Sequence, residues 1–511
     1  MLVKINSAAL YGIDAYPVTI EVNVDKGIGY HLVGLPDKAV SESSYRISAA
    51  LENTGFRMPG KKIIINMAPA DLRKEGSAYD LPIALGILAA SEQVQFQNLE
   101  QYWILGELSL DGSIQPIKGA LPITLKAKEE GYKAVILPPA NRDEAAIVDG
   151  IDVYAIENIR QVIDYLEGKQ DYSPYKIDME QLFYDELDRL EHDFSDVKGQ
   201  ENVKRALEIA AAGGHNVLMI GPPGSGKTML AKRLSGILPP MTLEEALETT
   251  KIHSVAGILK NRGIVTQRPF RSPHHTISDV ALVGGGSYPQ PGEISLAHNG
   301  VLFLDELPEF KRSVLEVLRQ PLEDREVTIS RARFTVNYPA SFMFIASMNP
   351  SPSGYFNDPD SPLRSSPAEM QRYLSKISGP LLDRIDLHIE VEAVPFDKLS
   401  DNRRGESSRE IRKRVIRARQ IQTKRFRNYP DIHYNAQMSS KQIREFCPID
   451  EASLQMLRNA MEKLNLSARA YDRILKVART IADLESSENI QTPHIAEAIQ
   501  YRSLDRNDWF G

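Results

Sequence analysis

Apolar positions along the first third of the chain fall in short runs typical of strands, separated by segments with helical spacing. The strand-like runs are VTIEVNV at 18–24, KIIINM at 62–67 and AVILP at 134–138. Between them, DLPIALGILAAS at 80–91 is typical of a helix. Strands that alternate with helices in this way predict a mixed α/β domain over residues 1–170.

The remaining chain divides by composition into three further parts. Residues 171–193 are polar, acidic and rich in tyrosine, and this composition predicts a linker. Residues 194–395 hold the candidate nucleotide chemistry. Residues 396–511 read as helices with polar turns, because segments such as ARAYDRILKVARTIADLE carry apolar residues at helical spacing. We therefore expect a nucleotide-binding core followed by a helical lid.

A glycine-rich loop opens the nucleotide chemistry. The stretch NVLMIGPPGSGKTMLAKRL at 216–234 reads as a buried strand, a loop and a helix. Glycines allow backbone N–H groups to close around phosphate oxygens, while the lysine reaches the outer phosphates and the threonine hydroxyl faces Mg²⁺. The residues predicted to bind ATP are Gly221, Pro222, Pro223, Gly224, Ser225, Gly226, Lys227 and Thr228.

Two carboxylates follow a second apolar run, NGVLFLDELPEF at 299–310. Asp305 is predicted to hold Mg²⁺ together with Thr228, and Glu306 to polarise the attacking water. The structural alternative is a buried strand that ends in two solvated acids. Because this motif follows the glycine loop in the order that P-loop ATPases show, the catalytic interpretation is favoured.

Three further residues are candidates for the catalytic centre. Asn349, at the end of the apolar run FMFIASMNP, is placed to orient the water near the γ-phosphate. Arg384 lies between apolar residues in GPLLDRIDLHIEV and is predicted to act as an arginine finger on a neighbouring subunit. Its alternative role is a salt bridge to one of the two aspartates that flank it. Arg469 is predicted to be the lid arginine that senses the γ-phosphate, with Arg473 as the competing candidate.

Composition limits the compartment and the partners. The chain has 511 residues, too many for one core, and its 42% hydrophobic and 25% charged content is ordinary for a globular protein. A net charge of −7 means that any contact with DNA must come from local basic surface. The single cysteine, Cys447, cannot form a disulfide within the chain, and no apolar stretch suits a signal peptide or a membrane span. We expect a cytoplasmic protein without membrane contact.

Two long motifs carry a resemblance to a known family. RPFRSPHHTISDVALVGGGSYPQPGEISLAHNGVLFLDELPEF at 268–310 and ISGPLLDRIDLHIEV at 377–391 resemble the YifB/ComM family of magnesium-chelatase-like AAA+ proteins, and the resemblance spans essentially the whole chain. It implies a Lon-protease-like N-terminal α/β domain, a P-loop AAA+ three-layer core and a helical C-terminal lid of the magnesium-chelatase type. It also implies a homo-hexameric ring that uses ATP and Mg²⁺ to translocate on DNA and to promote branch migration of recombination intermediates, with single-stranded or branched DNA as partner.

The resemblance places one candidate DNA contact at the pore of such a ring. VTISRARFTVN at 327–337 alternates like a β-hairpin, and its tip would present Arg331 and Arg333 to phosphates. The alternative is a solvated turn with a salt bridge between subunits. A second basic segment, SREIRKRVIRARQIQTKRFR at 408–427, either contacts DNA or is an ordinary solvated helix face.

The chain departs from the family in the loop after Asn349. Many relatives carry two Cys-x-Cys pairs there, whereas the matching positions in this chain are Ser351, Ser353, Leu363 and Ser365. Neutral serine and leucine cannot replace thiolates as zinc ligands. We predict no zinc at this loop.

The stretch GELSLDGSIQPIKGALP at 106–122 resembles the peptidase domain of Lon-type proteases, which use a Ser–Lys pair. The match puts Pro122 where the lysine belongs, while Lys118 and Lys126 are out of register. Ser77 lies near the nucleophile position. A serine without its base is a poor nucleophile, so we expect a protease-like fold without peptidase activity.

Two other functions remain open. A magnesium-chelatase motor would need a partner subunit with a metal-binding adhesion-type domain, which this chain lacks. A protein remodeller or ATP-dependent protease would present an aromatic residue on a pore loop, for which the segment between the two nucleotide motifs offers Tyr288.

Overall fold

The protein is described by a computed structural model in which two compact units can be recognised. The structure describes residues 1–179, 181, 183, 192–259, 263–286, 289–331, 334–355, 365–394, 405–464 and 466–502, with Arg331 and Phe334 described by their backbone alone. The first unit comprises residues 1–187, 242–266 and 289–291, and the second comprises 188–241, 267–288 and 292–511.

Strands and helices alternate through most of the chain, and helices alone follow the last strand. The strands are β1 (Leu2–Tyr11), β2 (Asp14–Asp25), β3 (Gly29–Val33), β4 (Lys62–Ala68), β5 (Tyr102–Ile104), β6 (Glu107–Leu108), β7 (Ile114–Gln115), β8 (Ala134–Leu137), β9 (Asp152–Ala155), β10 (Val217–Ile220), β11 (Phe270–Arg271), β12 (Gly284–Gly285), β13 (Gln290–Pro291), β14 (Val301–Leu304), β15 (Glu326–Arg331), β16 (Phe334–Pro339), β17 (Met343–Met348) and β18 (Leu387–Glu390). The helices are Lys38–Ser41, Ser43–Asn53, Asp80–Ala90, Ala120–Glu129, Arg142–Ala145, Ile159–Leu166, Glu201–Gly213, Lys227–Ile237, Leu243–Ala256, Asp279–Val283, Glu293–Leu296, Arg312–Glu316, Arg319–Asp324, Pro367–Leu374, Gly379–Leu382, Ser408–Arg425, Ser440–Phe446, Glu451–Lys463, Ala468–Leu484 and Thr492–Gln500.

The first unit is built on a seven-stranded mixed sheet in the order β3-β4-β2-β1-β5-β8-β9. Strand β2 runs antiparallel to β1 and β4, and the other neighbouring strands run parallel. Helix Asp80–Ala90 is buried along nearly its whole length, which explains why its sequence is apolar on all sides. Gly86 lets this helix approach the sheet, because a Cβ there would lie 2.5 Å from a methyl carbon of Val22. The mixed α/β prediction for this region is confirmed.

A segment from between the two nucleotide motifs belongs to the first unit. The sequence predicts that residues 242–266 belong to the nucleotide-binding core, but their helix Leu243–Ala256 packs beside helix Ala120–Glu129. The backbone N–H of Gly119 donates to the carbonyl of Ser254 over 3.1 Å. Chain order alone does not reveal this packing, because it depends on contacts between residues more than a hundred positions apart.

The second unit is built on a five-stranded parallel sheet in the order β11-β14-β17-β10-β18. Strands β10, β14 and β17 are buried at every position, as expected for a parallel sheet covered on both faces. The helical C-terminal region shares one hydrophobic core with this sheet, and Ile411, Val415 and Ala418 form the buried stripe of helix Ser408–Arg425. No helix among the described residues is both long and apolar enough to cross a membrane.

Candidate functional site

The glycine loop leaves the carboxyl end of β10 and enters helix Lys227–Ile237. Gly221 is tightly enclosed, because a Cβ there would lie 2.1 Å from the carbonyl oxygen of Val391. Gly224 and Gly226 have φ angles of +78° and +91°, which side-chain-bearing residues rarely adopt. The space beside Gly224 is open, with no atom within 4 Å of a Cβ built there. The loop therefore presents its backbone to an open space at a helix N-terminus, a geometry that fits phosphate.

Lys227 folds back over this loop. Its side chain is buried, and its ammonium group donates to the carbonyl oxygens of Gly221 at 2.6 Å and Pro222 at 2.9 Å. The side-chain oxygen of Asn349 lies 3.4 Å from the same ammonium group. Burial lowers the pKa of Lys227, and the charges of Asp305 and Glu306 act in the opposite direction. These neutral oxygens are weaker partners than phosphate, so the ammonium group fits an anionic ligand.

Asp305 follows the buried strand β14 and meets Thr228 directly. The hydroxyl of Thr228 donates to Oδ2 of Asp305 over 2.6 Å. One hydroxyl and one carboxylate suit Mg²⁺, which in nucleotide sites is held by few protein ligands together with phosphates and water. Glu306 has a left-handed backbone with φ 55°, and its side chain is exposed. The residue pair predicted for Mg²⁺ is therefore in contact, and the proposed water-polarising residue is open to solvent.

Ser347 in β17 supports these carboxylates, although the sequence analysis did not single it out. Its hydroxyl donates to Oδ1 of Asp305, and it accepts the backbone N–H of Glu306 at 3.3 Å. Strands β14 and β17 pair in parallel with Leu304 opposite Ala346, which makes Asp305 and Ser347 neighbours. A polar residue within the apolar run FMFIASM was the available signal.

Gln200 and Tyr373 are two further contacts that sequence reasoning missed. The side-chain amide of Gln200 donates to the carbonyl of Ser225 at 2.9 Å and to that of Glu392 at 3.0 Å. The hydroxyl of Tyr373 donates to the carbonyl of Asn349 at 3.1 Å. A cavity of about 960 Å³ lies beside Gln200, between helix Glu201–Gly213, the chain after β18 and helix Thr492–Gln500. Its size is sufficient for a nucleoside.

Arg384 lies at the opposite edge of the parallel sheet from the glycine loop. Strands β10 and β18 run in parallel from Val217 opposite Leu387 to Ile220 opposite Glu390. The glycine loop follows the end of β10, whereas Arg384 precedes the start of β18 and its carbonyl accepts the side-chain amide of Asn216 at 2.9 Å. The whole strand length therefore separates Arg384 from the glycine loop of its own chain.

The ion pairs at this edge differ from the alternative considered for Arg384. Arg384 contacts the carboxylate of Glu323 at 2.6 Å and not a flanking aspartate. The flanking aspartates are taken by the two lid candidates, since Asp383 pairs with Arg469 at 2.9 Å and Asp386 with Arg473. The side chain of Arg469 is 63% exposed and that of Arg473 is 20% exposed. Arg469 is therefore the more accessible of the two candidates.

The hairpin expected at 327–337 is present as β15 and β16. These strands pair antiparallel from Glu326 opposite Pro339 to Arg331 opposite Phe334. Val327, Ile329 and Val336 are buried, in agreement with the expected alternation. Arg333 and the side chain of Arg331, the two candidate DNA contacts, lie outside what the structure describes, as do Tyr288 and Leu363.

The basic helix Ser408–Arg425 uses many of its arginines inside the second unit. Their partners are backbone carbonyls, carboxylates and one aromatic ring. Arg412 donates to the Leu238 carbonyl, Arg414 pairs with Glu208 and Glu406, Arg419 lies over the ring of Tyr434, and Arg425 pairs with Asp483. These contacts favour the structural interpretation of this helix over DNA binding.

Two further loops bear on chemistry that the sequence analysis argued against. Ser351 is buried, and its hydroxyl lies 2.8 Å from that of Ser353. Within the described part of the chain there is no cluster of three or more histidine, cysteine or acidic side chains that could hold a metal. In the first unit, the hydroxyl of Ser77 donates to the carboxylate of Glu107, while Lys74 is buried and donates to the Pro69 carbonyl. Ser77 is thus paired with an acid and not with a lysine.

Comparisons with known proteins agree with this architecture. Residues 193–399 match the family described as magnesium chelatase, subunit ChlI. Residues 20–141 match the family described as subunit ChlI of Mg-chelatase, and residues 405–502 match the C-terminal family of the same subunit.

Full-length relatives decide the family. The chain is 46% identical to the protein YifB of Escherichia coli (strain K12) over 505 residues, which cover 98% of this chain and 97% of the relative. It is 45% identical to competence protein ComM of Haemophilus influenzae (strain Rd) over 507 residues, covering 99% and 98%. The chain belongs to the YifB/ComM family of magnesium-chelatase-like proteins. This YifB/ComM chain is also 28% identical to Lon protease 2 of Bacillus subtilis (strain 168) over 179 residues, 31% of this chain and 32% of the relative. The expected fold class, a Lon-like α/β domain with an AAA+ core and a helical C-terminal region, is therefore confirmed.

Proposed function

We propose that this protein is an ATP-driven DNA translocase that assembles as a homo-hexameric ring and promotes branch migration of recombination intermediates. The observation that carries the proposal is the division of catalytic residues between the two edges of the parallel sheet. At the edge where strand β10 ends lie residues 221–228, Asp305, Glu306 and Asn349. At the opposite edge, where strand β18 begins, lie Arg384 and Arg469. A site divided in this way is completed only when a second copy brings its arginine edge to the first copy's loop.

The residues at the loop edge have distinct roles in this proposal. The loop N–H groups and Lys227 hold the phosphates of ATP. Thr228 and Asp305 are the residues that would hold Mg²⁺, and the bound ion would supply positive charge to the phosphates of ATP. Glu306 and Asn349 orient and polarise the attacking water. The cavity beside Gln200 receives the nucleoside, because Gln200 is bonded to the loop itself.

The residues at the arginine edge act on the neighbouring subunit. Arg384 and the exposed Arg469 stabilise negative charge that develops on the γ-phosphate of the next subunit. The hairpin β15–β16 carries Arg331 and Arg333 to DNA, and its contacts are with phosphates and not with base edges. The similarity to a relative named competence protein ComM supports a competence-related role, which suits a DNA partner.

The Lon-like unit serves as a scaffold in this proposal. Helix Leu243–Ala256, which follows the glycine loop in sequence, packs within that unit. The pairing of Ser77 with Glu107 leaves the hydroxyl without the lysine that a Lon-type peptidase needs. We therefore propose that the unit contributes to the scaffold of the ring and does not cleave peptides.

The test is steady-state ATP hydrolysis by the purified protein without DNA and with single-stranded, duplex or branched DNA. Glu306→Gln serves as the blank. We expect DNA to stimulate hydrolysis, most strongly as single-stranded or branched forms. Equal rates with every DNA would overturn the translocase proposal.

A magnesium-chelatase motor is the second candidate, because the family matches carry that name. In that case hydrolysis would ignore DNA and respond to a metal-inserting partner subunit. Protein unfolding or turnover by the purified chain would instead indicate a remodelling ATPase related in function to Lon protease.

A further inference from the structure

A cavity of about 520 Å³ lies at the base of the hairpin in the second unit. Helix Arg319–Asp324 forms one wall, and Val327 and Thr328 from the start of β15 form another. Arg384, the proposed arginine finger, lines the same cavity. The proposed finger, Arg384, and the base of the hairpin β15–β16 therefore line the same cavity.

Arg384 and Glu323, which both line this cavity, form an ion pair. The Arg384 side chain is only 11% exposed, whereas that of Glu323 is 64% exposed. One terminal nitrogen of Arg384 contacts the Glu323 carboxylate, and the other donates to the Pro380 carbonyl at 2.6 Å. The Nε atom is buried and has no hydrogen-bond partner. The positive charge of the Arg384 guanidinium is thus neutralised by a carboxylate that is itself largely exposed to solvent.

Glu323 resembles a phosphate in what it offers to the arginines around it. A carboxylate presents two anionic oxygens to a guanidinium, as the terminal oxygens of a phosphate do. The hydrogen bond from Arg384 lowers the pKa of Glu323, and the nearby charges of Arg384, Arg469 and Arg319 add to this effect. Both proposed catalytic arginines therefore act electrostatically on Glu323.

Glu323 is also joined to the hairpin through a short, hydrogen-bonded stretch of backbone. Its helix ends at Asp324, and the next residue, Arg325, has a left-handed backbone with φ 58°. The N–H of Arg325 donates to the Pro321 carbonyl at 3.0 Å, and its carbonyl accepts the N–H of Ala340 at 2.8 Å. Strand β15 begins at the following residue, Glu326. The base of the hairpin and the helix that carries Glu323 are therefore directly connected by a short, hydrogen-bonded backbone segment.

We propose that Glu323 is a positioning residue that pairs with Arg384 in place of the neighbouring subunit's γ-phosphate. Glu323 releases Arg384 when DNA displaces the hairpin. This inference rests on the proposed function, since it takes Arg384 as the finger and β15–β16 as the DNA contact. In the absence of DNA, Glu323 competes with ATP for the finger and keeps hydrolysis slow. When DNA moves the hairpin base, the carboxylate withdraws and Arg384 becomes available to the neighbouring site.

Release of Glu323 costs this carboxylate little solvation free energy, because its side chain is already 64% exposed. The buried guanidinium of Arg384 keeps an anionic partner throughout the exchange, because the γ-phosphate, which carries more charge than a carboxylate, replaces Glu323. Glu323→Gln keeps the size of the side chain and removes its charge. We expect basal hydrolysis without DNA to rise about two- to fivefold, which corresponds to about 0.4–1 kcal/mol.

The experiment compares ATP hydrolysis by the full-length wild type and Glu323→Gln, with and without single-stranded DNA. Glu316→Gln is the matched control, because Glu316 lines the same cavity but pairs with Arg319 at 2.9 Å. Arg384→Ala marks the rate without a finger. We expect Glu323→Gln to hydrolyse ATP faster without DNA and to lose most of its stimulation by DNA, while Glu316→Gln behaves as wild type. Glu323→Asp, which keeps the charge, should restore most of the stimulation.

The outcomes separate failure of this inference from failure of the proposed function. If DNA does not change the rate of ATP hydrolysis by the wild type, the translocase proposal is refuted. A wild type stimulated by DNA, with Glu323→Gln stimulated to the same degree, overturns the inference alone. A basal rate for Glu323→Gln as low as that of Arg384→Ala would also overturn it, because Glu323 would then be needed to orient the finger. Loss of assembly by Glu323→Gln, measured by light scattering, would also overturn the inference, because Glu323 would then be an interface residue.

Discussion

Ser347 allows a direct test of how the nucleotide site is organised. It is fully buried in β17, and its hydroxyl holds Oδ1 of Asp305 so that Oδ2 points to Thr228. Ser347→Ala removes this hydrogen bond and leaves the strand otherwise unchanged. The backbone N–H of Glu306 keeps a partner, because it also reaches Oδ1 of Asp305 at 3.2 Å. The variant should therefore fold normally.

The expected effect follows from the charge of the acceptor. A hydrogen bond to a charged group contributes about 1.5–3 kcal/mol. If that contribution serves to orient Asp305 in the transition state, its loss lowers kcat about ten- to 150-fold. The KM for ATP should change much less, because the glycine loop and Lys227 bind the phosphates independently of Ser347.

The assay is steady-state ATP hydrolysis at increasing concentrations of Mg²⁺, with thermal unfolding to verify the fold. Ser347→Ala should need more Mg²⁺ for half-maximal rate, since its carboxylate is less well oriented. Ser235→Ala is the control, because the Ser235 hydroxyl donates to the Lys232 carbonyl within its own helix. A kcat within about twofold of wild type at every Mg²⁺ concentration would refute the role assigned to Ser347.

Three other predictions concern the ring, the lid and the metal content. Arg384→Ala and Lys227→Ala should each be inactive alone, but an equal mixture of the two should recover about a quarter of the wild-type ATPase rate. Random assembly in a ring places an intact loop next to an intact finger at that fraction of the interfaces. No recovery in mixed rings would show that the finger acts within its own subunit. Burial raises the pKa of Cys447 to about 12, so at pH 8 only about one part in ten thousand of the thiol is thiolate. We expect the thiol to resist a disulfide reagent until denaturant unfolds the lid. Rapid labelling of the native protein would contradict this burial. Because serines replace the expected cysteines at 351, 353 and 365, elemental analysis of the purified protein should find no stoichiometric zinc, and treatment with a zinc chelator should leave hydrolysis in excess Mg²⁺ unchanged.

The nucleotide loop, the two carboxylates and the hairpin could all be predicted from the sequence. Each depends on residues close together in the chain: a glycine loop between a strand and a helix, an acid pair after an apolar run, and an alternating pattern around a short turn. Local backbone geometry and side-chain period are sufficient for such elements. The strands of the Lon-like region were predictable for the same reason.

The partners of the arginines required the tertiary structure. Arg384 meets Glu323, sixty-one positions earlier, although two aspartates flank it in sequence. From the sequence, the basic segment at 408–427 could be either a DNA contact or a solvated helix face, and only the structure shows its arginines paired with Glu208, Tyr434 and Asp483. Ser347 reaches Asp305 only because β14 and β17 are adjacent in the sheet.

By itself, the sequence predicted the kind of chemistry and determined the secondary structure that presents it, because both follow from short-range spacing. Only the tertiary structure decided which charge neutralises which, at which edge of the sheet Arg384 lies, and that residues 242–266 pack in the Lon-like unit. Strand order and burial determine these pairings, since a buried charge takes the partner that the fold brings within hydrogen-bond distance and not the nearest one in sequence.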